Sequence, residues 1–278
     1  MFGGERRGGP TSEDRQRMRA RAAETVFNLM RRSNGMEIFE ESILHLRQAN
    51  KALEKGSLVV YINHVRHTDA FLIIPLVMSL PAARKIMGPV GMKHYDFRRD
   101  PVSATAFRAL RLAGIYPSPV VQAYDRASYE ADKQRRMSEN LQAATRALLR
   151  KPGTIYGIAP EGTRTKTGIL KKAYRGIGYL ENYMDKGATL TYLPIGLVYA
   201  NMGDTPEIRV DTPFTLSNLV PPQTTFSDDP KERAQQIADV FMIRLAANLP
   251  EVSRGVYAKP ETYLAPLGIS ASDLGMSA

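Results

Sequence analysis

Apolar residues near the start of the chain recur with a helical period. From residue 11 to about residue 32 they stand four apart, with arginines between them, which predicts an amphipathic, basic helix. A second helical pattern covers residues 40–55 and precedes Gly56, a residue typical of helix ends. Residues 1–10 are rich in Gly and Arg, so we expect a flexible tail there. The four-spaced apolar positions are Met18, Ala22, Val26 and Met30.

Beyond Gly56 the pattern changes to short apolar runs alternating with helical stretches. Residues 58–62 are almost continuously apolar and rich in β-branched side chains, as in a buried parallel strand. This alternation predicts an α/β fold: a mixed, largely parallel sheet flanked by helices, with an N-terminal amphipathic helical segment. The further predicted strands cover 86–90, 154–158, 190–198 and 208–210, and the further predicted helices cover 69–79, 102–112, 129–149 and 230–247.

The domain organisation follows from these elements. A chain of 278 residues can bury one substantial core, and we expect one large domain. Residues 1–56 are predicted to form the basic tail and N-terminal helices, and residues 57–250 the α/β domain. Residues 251–278 mix Pro, Gly and Ser and are predicted to be a C-terminal loop or tail.

Composition narrows the chemistry. Hydrophobic residues make up 43% of the chain and charged residues 24%, as in ordinary folded proteins. The sequence has no cysteine, which excludes disulfides, thiolate metal sites and covalent catalysis through a thiol. A net charge of +10 favours anionic partners, but it does not distinguish anionic lipid, acidic carrier protein and nucleic acid, and a merely soluble basic surface is the alternative.

Membrane attachment, if it occurs, is expected to be peripheral. The longest apolar stretch runs from Ala70 to Ala83, contains Pro75 and is shorter than the roughly 20 residues that span a bilayer. No secretory signal peptide is recognised, so cytoplasmic residence is expected. The basic N-terminal helix either contacts an anionic membrane surface or packs on the domain with a solvated basic face.

The first candidate chemistry follows the first predicted strand. His64 lies directly beyond it, and Asp69 comes five residues later, where a helix begins. Ligands bind at the carboxyl ends of strands in α/β sheets. A carboxylate that accepts one ring N–H of a histidine leaves the other nitrogen free to take a proton. The alternative is that Asp69 or Thr68 only caps the helix.

A second cluster follows the strand predicted over 154–158. Gly162 allows close approach of the backbone to a ligand, and the Arg164 guanidinium can bind a phosphate with two hydrogen bonds. The alternative is a solvated basic turn. Further basic residues continue the cluster, namely Lys166, Lys171, Lys172 and Arg175.

With these motifs the chain resembles the glycerolipid acyltransferases of the lysophosphatidic acid acyltransferase type. Two independent blocks, each after a predicted strand, stand in the family's order, and the resemblance covers about residues 58–200. The matching blocks are Asn63-His64-x4-Asp69, Pro160-Glu161-Gly162-Thr163-Arg164 and Leu193-Pro194-Ile195.

The resemblance implies roles for these residues. His64 would be the general base and Asp69 its orienting partner. The donor would be acyl-CoA or acyl-carrier protein, and the acceptor lysophosphatidic acid, glycerol 3-phosphate or another lysophospholipid. It implies no metal or other cofactor, no nucleic-acid partner and a location at the inner face of a membrane. The acceptor phosphate would be held by Glu161, Gly162, Thr163 and Arg164, with Arg175 as a looser assignment.

The family's second block is where the chain departs from the pattern. The family shows a glycine, apolar residues and then an arginine that holds glycerol phosphate, whereas here 114–116 are followed by Pro117-Ser118-Pro119. The next arginine is Arg126. Either Arg126 takes that role through a longer loop, or the acceptor differs from lysophosphatidic acid.

Other classes of function have weaker support. The main alternative is a non-catalytic basic protein that binds anionic lipid or nucleic acid, with His64 and Asp69 structural. A metal site from His64 and His67 lacks further ligands in a suitable pattern. The sequence contains no Gly-x-Ser-x-Gly motif, no Gly-x4-Gly-Lys loop and no Gly-x-Gly-x-x-Gly fingerprint.

Overall fold

A six-stranded sheet organises the chain. The computed structural model describes residues 11–34, 38–66, 68–91, 105, 110–111, 114–121, 127–165, 167–184, 190–201 and 205–276. The strands are β1 Leu58–Ile62, β2 Lys85–Gly91, β3 Ile115–Val120, β4 Thr154–Ile158, β5 Thr191–Val198 and β6 Glu207–Val210. The strand order is β3-β2-β4-β1-β5-β6, and every neighbouring pair is parallel except the antiparallel β5 and β6. The predicted mixed, largely parallel sheet is therefore confirmed.

Helices cover both faces of the sheet. The helices are α1 Ser12–Asn34, α2 Glu40–Lys55, α3 Asp69–Met78, α4 Ala131–Leu149, α5 Leu216–Leu219, α6 Pro230–Ala247 and α7 Glu261–Leu264. On one face, α2 and α3 pack on the side chains of Leu58 and Val60, and on the other, α4 and α6 pack on those of Val59 and Tyr61. Because β1 is buried on both faces, its sequence is continuously apolar rather than alternating.

Strand β3 was missed by the sequence pattern. It contains Pro117 and Pro119, which lack the backbone N–H that a central strand needs. Its position at the edge of the sheet explains how it forms, because it pairs with β2 alone. The helix predicted over 102–112 and the tail predicted over 1–10 lie wholly or largely outside the described residues.

The C-terminal segment corrects a prediction. Residues 251–276 do not form a loop or tail on the surface but fold into short helical turns, including α7. Tyr257, Leu264 and Leu274 are fully buried and join the core beside α6. Each turn is too short to show a helical period, and the surrounding Pro, Gly and Ser suggested a surface segment.

The N-terminal helix α1 packs along α3, which agrees with the interpretation that this helix packs on the domain. The side that faces the domain includes Ala20, which is buried, whereas Met18 and Ala22 of the predicted apolar stripe are exposed. These two positions of the stripe therefore do not lie on the packed face. In the parts of the chain that the structure describes, no helix is both long enough and apolar enough to cross a bilayer.

Candidate active site

Three neighbouring parallel strands end at one edge of the sheet. In the register of the sheet, Tyr61 of β1 lies opposite Ile158 of β4 and Pro194 of β5. The residues that follow these strands therefore meet at this edge, where α/β proteins bind ligands. They include His64 after β1 and Glu161 after β4.

Asn63 fixes the end of β1. Its side-chain amide donates to the Leu197 carbonyl at 2.9 Å and its carbonyl oxygen accepts the Leu197 N–H at 2.7 Å. The buried side chain thus continues the pairing of β1 with β5 by one residue. This pairing holds the backbone at the point where His64 leaves the sheet. Leu193-Pro194-Ile195, the third matching block, lies inside β5 and is buried.

His64 and Asp69 are brought together as predicted. The His64 Nδ1 lies 3.0 Å from Oδ2 of Asp69, whose side chain is fully buried, whereas the imidazole is partly exposed. The same Oδ2 accepts the backbone N–H groups of Val65 and Arg66 at 2.7 and 2.8 Å. Asp69 therefore organises the loop that precedes α3 rather than the first turn of the helix. Thr68, at the N-cap position, makes no side-chain capping bond, so the capping alternative does not describe this pair.

Tyr199 completes the surroundings of Asp69. This residue directly follows β5, and its hydroxyl donates to Asp69 Oδ1 at 2.6 Å. The Arg66 guanidinium lies 4.2 Å from the centre of the tyrosine ring. Burial, and then the hydrogen bond to Asp69, raise the pKa of Tyr199, so its hydroxyl keeps its proton. The carboxylate thus accepts four hydrogen bonds, which is about its full capacity.

Glu161 joins two loops at the sheet edge. Its buried carboxylate accepts the His64 N–H at 3.0 Å through Oε2 and the Lys171 N–H at 2.8 Å through Oε1. Burial raises the pKa of Glu161, and the two hydrogen bonds oppose that rise. A further bond, from the Thr165 N–H to the His64 carbonyl at 2.7 Å, links the same loops. Glu161 therefore positions the backbone of His64, while its predicted part in acceptor binding stays a prediction.

Gly162 is required by its backbone and its neighbour. It has φ of +65°, in the left-handed region that favours glycine. A Cβ placed there would lie 2.6 Å from Cδ2 of Tyr174, so the tyrosine ring occupies the space that a side chain would need. The predicted role of Gly162, close approach of its backbone to a ligand, stays a prediction.

The predicted basic groups lie on the loops next to Glu161. Thr163 and Arg164 are half-buried, and Arg175 is exposed. Within the described parts of the chain, no hydrogen bond or ion pair engages the guanidinium of Arg164. Arg126 and His67 lie outside the described residues, so their predicted roles stay predictions.

A buried polar cluster holds the loop that carries Lys171, Lys172 and Arg175, and no sequence motif indicated it. The Tyr257 hydroxyl accepts the Ala173 N–H at 2.8 Å and donates to Asp239 at 2.8 Å. Gln235 donates to the Ala173 carbonyl and to the same carboxylate. Burial raises the pKa of Asp239. Tyr257 lies in the segment that was predicted to be a tail, whereas Tyr199 could have been found by inspecting the residue after each predicted strand.

Among the residues that the structure describes, no three His, Asp or Glu side chains cluster in a way that could hold a metal ion.

Two comparisons with known proteins find similarity to this chain. A family model described as Acyltransferase matches residues 43–197, which is more than half of the 278-residue chain. Among solved structures, the chain is similar to the 1-acyl-sn-glycerophosphate (LPA) acyltransferase PlsC from Thermotoga maritima. The sequence identity is 10%, the TM-score is 0.45, and the match covers 84% of this chain and 81% of that chain. No curated protein sequence matches the chain significantly.

Proposed function

The chain belongs to the acyltransferase family, and we propose that it moves a fatty acyl group from a thioester donor to a hydroxyl of a phosphate-bearing glycerolipid acceptor. The donor is acyl-CoA or acyl-carrier protein. The acceptor is lysophosphatidic acid, glycerol 3-phosphate or another lysophospholipid. In this proposal the chain's own side chains carry the chemistry, and no metal takes part.

One observation carries the proposal: the partly exposed imidazole of His64 is held by a buried carboxylate. Because an ionised Asp69 can only accept hydrogen bonds, Nδ1 carries the ring proton and Nε2 keeps its lone pair. Within the described parts of the chain, Nε2 has no hydrogen-bond partner. An imidazole in this state can act as a general base toward a substrate hydroxyl.

The proposed reaction uses that lone pair. The acceptor hydroxyl gives its proton to Nε2 of His64 while its oxygen forms a bond with the carbonyl carbon of the thioester. The carbon–sulfur bond then breaks, and the leaving thiol takes the proton back from the imidazolium. Asp69 stabilises the imidazolium between these steps. General-base catalysis of this kind contributes about 10²- to 10⁴-fold in rate.

The acceptor phosphate would be held by the loop after β4. Arg164 directly precedes Thr165, whose N–H donates to the His64 carbonyl. The side chains of Arg164 and His64 therefore start from two loops that are hydrogen-bonded to each other. A guanidinium without an internal ion pair is suited to bidentate binding of phosphate. Thr163 and Arg175, which follow β4 in the chain, would add a hydroxyl and a second guanidinium. Arg126 remains a proposed contributor.

Lipid substrates also suggest where the enzyme works. Removing an acyl chain from a bilayer costs about 0.8 kcal/mol for each methylene, so the reaction is favoured at the membrane surface. We therefore place the protein peripherally at the inner face of a membrane. The exposed Met18 of α1, flanked by exposed Arg17 and Arg21, supports contact of this helix with anionic lipid.

The first experiment tests the base. Thioester consumption and the products formed with several lysophospholipids and glycerol 3-phosphate are measured by mass spectrometry for the wild type and for His64→Ala. We expect His64→Ala to lose at least about 100-fold in rate. His45→Ala is the matched control, because His45 lies on α2 and bonds to Val210 and Thr212. Wild-type turnover in a folded His64→Ala protein would contradict the role of His64, whereas absence of turnover in the wild type would favour a non-catalytic basic protein.

The second experiment tests the phosphate site. Arg164→Ala should raise KM for the acceptor by about tenfold or more and leave KM for the thioester donor nearly unchanged. Arg136→Ala, which removes an exposed arginine of α4, is the control. An equal rise in both KM values would show that Arg164 does not recognise the acceptor.

A further inference from the structure

Two segments of the chain lie side by side next to the candidate active site. The Leu170 N–H donates to the Ser253 carbonyl at 2.9 Å, and the Val256 N–H donates to the Leu170 carbonyl at 3.4 Å. Gly255 approaches so closely that a Cβ there would lie 2.8 Å from Ile169 Cγ2. Residues 169–175 and 252–256 therefore present one continuous outer surface.

Apolar side chains are unusually exposed on this surface. Val252 is 82% exposed and Ile169 is 43% exposed, while the neighbouring Leu170 and Tyr257 anchor the two segments in the core. Clustered exposed apolar side chains mark interaction sites, because single ones are common but groups are not. We call the surface formed by residues 169–175 and 252–256 the loop surface. Its apolar members are Ile169, Tyr174, Val252 and Val256, and its exposed cations are Lys171, Lys172 and Arg175.

The charges of the loop surface favour an anionic partner. Its three exposed cations are accompanied by one exposed carboxylate, that of Glu251, beside Val252. Cations next to aliphatic and aromatic side chains are the combination that binds the boundary between headgroups and acyl chains of an anionic bilayer. An acidic carrier protein would match the cations but would leave the four apolar side chains without an equivalent role.

We propose that the loop surface docks on an anionic phospholipid bilayer and that this contact is separate from any made by α1. The inference rests on the proposed function, in which the acceptor is a lipid. One buried carboxylate connects the surface to the base, since Glu161 accepts N–H groups of both Lys171 and His64. Docking through the loop surface therefore brings the headgroup layer to the edge of the sheet where His64 lies.

The first test measures binding of the full chain to vesicles. Flotation uses neutral phosphatidylcholine vesicles and vesicles that also contain phosphatidylglycerol. The double variant Ile169→Asp/Val252→Asp should bind the anionic vesicles at least about tenfold more weakly than the wild type, because two apolar contacts are replaced by charges. The matched control is Ile43→Asp/Leu44→Asp on α2, whose side chains are 44% and 55% exposed and which should bind as the wild type does.

A second measurement reports insertion directly and does not depend on losing a contact. The chain contains no tryptophan, so Val252→Trp introduces a single fluorophore. Its emission should shift to shorter wavelength with anionic vesicles and be quenched by lipids brominated on the acyl chain. Leu44→Trp should show neither change. Wild-type vesicle binding by the double aspartate variant, or absence of quenching in Val252→Trp, would overturn the inference.

Activity separates this inference from the proposed function. With glycerol 3-phosphate and a short-chain acyl-CoA, both soluble, Ile169→Asp/Val252→Asp should turn over as the wild type does, whereas its turnover on vesicle-bound acceptor should fall. If no acceptor is acylated by the wild type, the proposed function fails while the binding measurements still stand. If the double variant loses affinity only for acyl-carrier protein, the partner is that protein and the bilayer assignment is wrong.

Discussion

Replacing Tyr199 with phenylalanine removes one hydrogen bond and little else from the candidate active site. The hydroxyl donates to the buried carboxylate of Asp69 at 2.6 Å. The phenylalanine ring keeps the surface that Arg66 covers at 4.2 Å. Hydrogen bonds to charged groups contribute about 1.5–3 kcal/mol, so Tyr199→Phe should lower the free energy of unfolding by about that amount.

The same change should alter catalysis in a recognisable way. If the whole of that energy is lost from the transition state, kcat/KM falls by about 10- to 150-fold, which is the upper bound.

The assay is release of free thiol from acyl-CoA, followed between pH 5 and pH 9, with urea unfolding measured alongside. Tyr129→Phe is the control, because it removes a tyrosine hydroxyl that is not among the hydrogen-bond partners of Asp69. A folded Tyr199→Phe enzyme with wild-type kcat/KM would refute the coupling between this hydroxyl and the proposed base.

Three further changes test the scaffold. Burial raises the pKa of Glu161 above its ordinary value of 4.5, so the folded state still holds this proton at a pH where the unfolded state has lost it. The free energy of unfolding should therefore fall as the pH rises from the unfolded-state pKa to the folded-state pKa. Glu161→Gln should remove this contribution to the pH dependence of urea unfolding. Gly162→Ala should cost about 1–3 kcal/mol from its left-handed backbone and the contact with Tyr174, and Tyr174→Ala in the same chain should restore only the part due to contact. Asp211→Asn should lower stability by about 3–5 kcal/mol, seen as a lower Tm, because it leaves the partly buried Arg244 guanidinium without its ion-pair partner; a loss below about 1 kcal/mol would contradict that assignment.

Much of the fold could be read from local pattern. The predicted strand over 154–158 and the predicted helix over 40–55 have the bounds found in the structure, because an apolar run or a helical period reports burial directly. Strand β3 could not be read in this way, since its prolines oppose a strand and only its place at the sheet edge permits one. The buried turns after residue 250 were missed because each is shorter than the period that identifies a helix.

The sequence by itself determined which chemistry was available: an imidazole five residues before a carboxylate, and a guanidinium after a second strand. Their order in the chain and their position after apolar runs were sufficient to suggest a base and a phosphate site. Only the tertiary structure decided that the Tyr199 hydroxyl donates a hydrogen bond to Asp69 and that Glu161 accepts the backbone N–H of His64. The physical reason is that these bonds join residues 97 to 130 positions apart, and parallel pairing of β4, β1 and β5 brings them to one sheet edge.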